Sequence, residues 1–188
     1  MQDAYRKKES KILTESILPI APGIYVNYNL VNILVCNHSK GKTHIMLRDI
    51  IQISRLKNVN FHLIVYIRMN GSINDSTFEA QQELIQLPIH AVSDSNAEKY
   101  LKELEMWKEL YDKYSGTKCT PGISSEKLQQ MFEFLHINKL SKPGESLNTI
   151  ILCEDFVKSK LLKSSYFTNY ITQLRHKHSI VYINVQFF

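Results

Sequence analysis

The chain is short of cysteine, with three in 188 residues: Cys36, Cys119 and Cys153. They are odd in number and form no Cys-x-x-Cys pair. That argues against a zinc site and a disulfide framework, and it fits a reducing compartment. Long apolar runs are missing too. The longest reach about five residues, far below the ~20 that span a bilayer, so no membrane partner is expected. Met1 to Ser10 is polar and no long apolar stretch follows it, so nothing reads as a secretory signal. No basic tail, internal repeat or low-complexity tract interrupts the sequence. What remains is ordinary globular material, 44% hydrophobic and 22% charged, long enough for one domain with a core. The net charge of +5 and pI of about 9.0 favour contact with polyanions such as nucleic acid. A solvated, lysine-rich surface would give the same balance.

Apolar segments alternate with amphipathic ones. Val31–Val35 is short, apolar and β-branched, and reads as a strand covered on both faces. Ile24–Tyr28 reads as an edge strand leading into it. A helix is expected from about Thr43 to Arg55. Strands are expected at Phe61–Ile67, more weakly at Leu87–Val92, then at Thr149–Cys153 and Ser179–Val185. Ser93 or Asp94 can cap a long helix to about Tyr114. Its Tyr100, Leu101, Leu104, Trp107 and Tyr111 follow a 3.6-residue period, as core packing requires. Further helices are expected from Ser124 or Ser125 to about Leu140, and from about Lys158 to Arg175. The alternation predicts an α/β layered domain with a mainly parallel sheet flanked by helices.

The most informative stretch is Cys36-Asn37-His38-Ser39-Lys40-Gly41-Lys42-Thr43. It lies between the first core strand and the first helix. A helix N-terminus after a buried strand presents backbone N–H groups and positive dipole character, which suit a phosphate chain. Lys42 can then reach the β/γ-phosphates of ATP, and the Thr43 hydroxyl can ligate Mg²⁺. The usual pattern is Gly-x-x-x-x-Gly-Lys-Ser/Thr. Cys36 takes the first glycine position and puts a Cβ where the loop is expected to turn. The loop is expected to leave a central strand. A coincidental helix start is the competing reading of the same residues.

A second pattern supports the first. Thr149–Cys153 runs straight into Glu154-Asp155, a carboxylate pair where open α/β sheets bind ligands. One acid there can hold the Mg²⁺ shell and its neighbour can orient an attacking water. Each pattern alone is weak; together, each behind an apolar strand, they point to a nucleotide site. The metal reading requires Thr149–Cys153 to lie beside Val31–Val35 or one strand away. Downstream, Leu174-Arg175-His176 precedes the final strand, which ends at Gln186. Arg175 can serve as a charge stabiliser for a neighbouring subunit or simply cap a helix C-terminus. Gln186 can sense the γ-phosphate or the water.

The order Cys-x-x-x-x-Gly-Lys-Thr, Ile-Ile-Leu-Cys-Glu-Asp, Leu-Arg-His and a strand ending in Gln resembles the genome-packaging ATPases of poxviruses and other large DNA viruses. Related forms occur in virophages and Maverick/Polinton transposons, within the FtsK/HerA branch of P-loop ATPases. The likeness runs from about Val31 to the C-terminus and is strongest over Asn148–Phe188. It implies an ATP-driven translocase of double-stranded DNA, working as a homo-oligomeric ring, with capsid proteins as possible partners. It places the protein inside the host cell or in the virion. Carried over, Lys42 and Thr43 bind phosphate and Mg²⁺, Glu154 is the metal-side acid and Asp155 orients water. Arg175 and Gln186 match the family's Arg and strand-end Gln. Three positions depart from the pattern: Cys36 for glycine, Glu154 for aspartate and Leu174 for glycine. The family continues past the terminal glutamine, so 29–188 reads as an incomplete ATPase-like domain behind an extension of 1–28. The alternative is an inactive descendant that binds a nucleotide or a partner.

Overall fold

The computed structural model describes residues 17–21, 24–27, 31–37, 41–54, 61–69, 78, 82–115, 122–140, 146–154 and 156–187. The strands are β1 (Ile17–Ala21), β2 (Ile24–Asn27), β3 (Val31–Asn37), β4 (Phe61–Arg68), β5 (Ile89–Ser93), β6 (Asn148–Cys153) and β7 (Ser179–Phe187). The helices are α1 (Lys42–Ser54), α2 (Asp94–Tyr114), α3 (Ser125–Leu135), α4 (Ser165–Thr172) and α5 (Leu174–Lys177). Five strands form one sheet in the order β3-β7-β6-β4-β5. Every pairing in it is parallel. This is the α/β architecture the alternating pattern predicts, with a five-stranded parallel sheet flanked by helices.

The two faces of the sheet bury different helices. On one side α1 packs Met46, Leu47, Ile50 and Ile53, all fully buried, against Ile64, Tyr66, Ile150, Leu152, Ile180 and Tyr182. Each such aliphatic side chain contributes roughly 1.5–3 kcal/mol over leaving it exposed. On the other side α2, α3, α4 and α5 cover Leu63, Val65, Ile67, Ile151, Cys153, Val181 and Ile183. β4 and β6 are therefore buried on both faces, which is why their sequences read as continuous apolar runs.

A buried lysine ties this second layer together. The Lys108 ammonium donates to the carbonyls of Lys177 (2.6 Å) and His178 (3.1 Å) and to the Thr149 hydroxyl (3.3 Å). It caps the C-terminal end of α5, where a cation is favoured. Burial lowers its pKa to about 7, while Asp112 and Glu105 pull in the opposite direction.

Four expectations need correction. β3 is an edge strand of the described sheet, paired only with β7. Ile33 and Val35 are 60% and 54% exposed, so β3 is not covered on both faces. An apolar run reports β propensity and not the number of neighbours. β2 precedes β3 in the chain as expected, but it does not join this sheet; it pairs antiparallel with β1 in a separate two-stranded sheet. The helix expected to reach Leu140 stops at Leu135, because His136 takes a left-handed φ of 53°. Its N–H and that of Ile137 donate back to Glu133 and Phe132 and close the last turn.

The helix expected over 158–175 is broken into a 3₁₀ turn (Phe156–Lys158), α4 and α5. Two side chains impose the break. The Ser159 hydroxyl donates to the buried Asp94 carboxylate, whose other oxygen accepts the Lys160 N–H at 3.0 Å. Ser164 then starts α4 afresh by accepting the Phe167 N–H at 3.1 Å. The expected extension over 1–28 lies mostly outside the described residues.

Candidate functional site at the C-terminal end of the sheet

Gly41 is the hinge between β3 and α1. Its φ is +75°, a conformation in which a Cβ is strained whatever the space around it. Its carbonyl accepts the Ile45 N–H at 3.0 Å and so opens the helix. Lys42 is the first helical residue and Thr43 the second. The N–H groups of such a first turn have no acceptor within the helix. β3 ends at Asn37 and α1 begins at Lys42, so the expected strand precedes the expected helix start, although the strand is an edge strand rather than a central one.

The loop's first expected glycine position is not in the turn. Cys36 lies within β3, in register with Gln186 of β7. Among the described residues, positive φ outside glycine occurs only at His136 and His178. The backbone at Cys36 is therefore ordinary strand, and a Cβ there meets none of the strain expected from the motif. Asn37 closes the strand opposite Phe187. His38, Ser39 and Lys40 lie outside the described residues.

Glu154 follows the last residue of β6. Leu152 faces α1, and the two-residue alternation of a strand carries Glu154 to the same side. Its N–H donates to the Ile67 carbonyl at 3.2 Å, which extends the ladder with β4 by one rung. β6 lies one strand from β3, with β7 between them. The consequence is a contact across 111 residues: the Thr43 hydroxyl donates to Glu154 Oε1 at 3.1 Å. Both side chains are half-buried.

The second carboxylate oxygen is also held. The Tyr66 hydroxyl, from near the C-terminal end of β4, donates to Glu154 Oε2. Tyr66 is 3% exposed and stacks on Phe78, with ring centroids 4.2 Å apart and planes 11° from parallel. The Arg68 guanidinium sits 5.7 Å from the centre of the Tyr66 ring. Neither Tyr66 nor Asp94 stands out in the sequence. Tyr66 reads as one more apolar member of its strand, and Asp94 as a helix cap.

The other candidates divide. Gln186 lies at the C-terminal end of β7, level with Cys36, so its backbone belongs to the same end of the sheet as Thr43 and Glu154. Asp155 lies outside the described residues. Arg175 is on α5, which enters the opposite end of β7, and its side chain is exposed. The structure does not bring Arg175 to Thr43 and Glu154 of its own chain. The thiol of Cys153, beside Glu154 in sequence, is fully buried, and burial, then the nearby Asp94, pushes its pKa up. It is an inert core group.

The donors that meet here are a hydroxyl and a carboxylate, oxygen ligands of the kind Mg²⁺ prefers. Among the described residues no three His, Cys, Asp or Glu side chains gather to cage a metal. Mg²⁺ is commonly held by one or two protein oxygens together with substrate phosphates, and the donor set fits that mode. No helix of the described residues is long and apolar enough to cross a membrane.

No family model and no curated protein matches the sequence. Among solved structures, the cytoplasmic domain of the Thermomonospora curvata type VII secretion ATPase EccC matches over 87% of this chain, with 12% identity and a TM-score of 0.44. The chain spans 17% of the length of that protein. The likeness is a distant one of fold.

Proposed function

We propose that this chain binds ATP with Mg²⁺ at the Thr43–Glu154 end of its sheet and uses it to move double-stranded DNA, as a packaging-type ATPase in a homo-oligomeric ring. One observation carries the nucleotide part: the hydroxyl behind Gly41-Lys42 and the carboxylate at the end of β6 meet at 3.1 Å. Acids at strand ends and Gly-Lys-Thr triplets are each common. Their convergence at a helix N-terminus, on the side of the sheet where α/β folds take ligands, is not expected of two unrelated features.

In this reading the N–H groups around Gly41 to Thr43 cradle the phosphates, and Lys42 reaches the β/γ-phosphates. Thr43 and Glu154 hold the metal side, Asp155 orients the water and Gln186 reads the γ-phosphate. Bound Mg²⁺ neutralises the charge on the phosphate oxygens. Arg175 reaches the site of a neighbouring copy. The DNA part rests on the sequence resemblance and on the net charge of +5.

A second reading is a nucleotide-binding or partner-binding descendant without turnover. The glutamate in place of aspartate at 154 favours it, because a longer arm must be held in place to serve a metal. Titration calorimetry with ATP and Mg²⁺, followed by hydrolysis assays with and without duplex DNA, separates the readings. Binding with DNA-stimulated, salt-sensitive turnover is the result expected of a working motor. Binding without turnover leaves the second reading, and no binding removes both nucleotide readings.

A further inference from the structure

We propose that Tyr66 is a positioning residue for Glu154: its hydroxyl holds one carboxylate oxygen so that the other faces Thr43 and the helix N-terminus. The proposal rests on the nucleotide reading above and assigns Tyr66 a part in its metal dependence.

A glutamate at the end of a strand has three side-chain torsions. Holding it in one arrangement costs rotamer freedom at each of them. Aspartate, one methylene shorter, loses less. Glu154 therefore needs an anchor that aspartate would not. Tyr66 supplies it. The backbones of the two residues are already fixed to each other, because the Glu154 N–H donates to Ile67 at 3.2 Å and β4 pairs with β6 along its length. The phenol hydroxyl then donates to Oε2, leaving Oε1 for the Thr43 hydroxyl at 3.1 Å.

Tyr66 is itself immobile. It sits on a strand buried on both faces, is 3% exposed and is stacked on Phe78. An O–H donor aimed at a carboxylate from such a base makes a charge-assisted hydrogen bond, roughly twice as strong as a neutral one. The carboxylate is clamped by two hydroxyls from two elements, α1 and β4. The longer glutamate arm is thereby matched to a partner on the neighbouring strand. The role is one of support: Tyr66 touches the carboxylate, and only the carboxylate and Thr43 would face a metal.

The test uses the full chain and the variant Tyr66→Phe, which keeps the ring stacked on Phe78 and removes only the hydroxyl. A fluorescent ATP analogue is titrated with Mg²⁺ present and again in excess EDTA. Tyr66→Phe is expected to weaken the Mg²⁺-dependent binding roughly tenfold, the size of one lost hydrogen bond to a charged group. Binding in EDTA is expected to stay unchanged. Equal weakening with and without Mg²⁺ would mean a merely structural role and would overturn the proposal. So would identical binding by variant and wild type. If wild type binds no nucleotide under either condition, the nucleotide reading itself fails, which is a different result. A urea-unfolding cycle of Tyr66→Phe, Glu154→Ala and the double variant gives a readout without nucleotide. The two changes are expected to be strongly non-additive, and additive effects would show that the clamp does not exist.

Discussion

Thr43 and Glu154 are joined by a 3.1 Å hydrogen bond although 111 residues separate them and β7 lies between the strands that precede them. The contact depends on the order of the parallel sheet and on α1 running back over one face. It gives the first prediction directly. Thr43→Ala removes the hydroxyl and leaves Glu154 with one hydroxyl donor fewer, so Mg²⁺-dependent nucleotide binding is expected to fall at least tenfold. Thr43→Ser keeps the hydroxyl and is expected to stay within about threefold of wild type, since a lost hydrogen bond and not lost packing sets the effect. Calorimetry on both variants decides. Equal loss in the two would mean that the methyl group, and not the oxygen, matters.

Cys36 leads to a prediction opposite to the one its motif position suggests. If the residue sat in a tight turn, glycine would relieve crowding. It sits instead in β3, in register with Gln186. Glycine in a strand interior loses backbone entropy and packing. Cys36→Gly is expected to lower unfolding stability by about 0.5–1 kcal/mol and to leave nucleotide affinity no better. Urea unfolding and the binding titration measure both; a tighter-binding variant would restore the turn reading.

How much of this was legible in the sequence varied by element. β4, β6 and β7 were readable because strands buried on both faces are apolar along most of their length, and Glu154 was readable because it directly follows one of them. The edge position of β3 was not, since strand order is fixed by pairings between distant segments that leave no local trace. The break at 159–164 was hidden for a similar reason. It depends on Asp94, 65 and 66 residues away from the two groups it binds. Tyr66 was invisible because a core tyrosine and a tyrosine aimed at a carboxylate look the same in a run such as Phe61–Ile67.

Acid is expected to weaken the fold through His62. The ring is buried at the start of β4, with Nδ1 2.9 Å from the Asn148 carbonyl. Burial, and then the positive charge of Lys108, lower its pKa to about 3. An unfolded histidine takes its proton near pH 6.5. Between these values the unfolded chain holds more protons, so stability rises with pH and is lost on acidification through that window. His90 and His178, also lowered mainly by burial, act with the same sign. Asp49 and Asp112, raised mainly by burial, act against it above their ordinary carboxyl range. His62→Gln is expected to flatten the slope of urea midpoint against pH below 6.5; an unchanged slope would place the acid sensitivity elsewhere.

Arg175 lies at the opposite end of β7 from Glu154 and is exposed, so any part it has in turnover must be played at the site of another copy. That makes a mixing experiment informative. Thr43→Ala should be inactive because its own site lacks the metal-side hydroxyl. Arg175→Ala should be inactive because it has no arginine to give. If the chain forms the ring proposed above, a subunit carrying Arg175→Ala still has an intact Thr43–Glu154 pair in a mixed ring, and a Thr43→Ala neighbour would still supply Arg175. With equal amounts and random assembly, roughly a quarter of the interfaces combine an intact pair with a donated arginine, because each interface joins two independently drawn subunits. Turnover in the mixture is expected to approach that fraction of wild type if the sites act independently, against none in either variant alone. The measurement is steady-state ATP hydrolysis after the two purified variants are exchanged and reassembled. An Arg175→Ala protein that hydrolyses ATP at the wild-type rate would instead leave the arginine as a helix-capping charge at the C-terminal end of α5, where cations are favoured on dipole grounds alone.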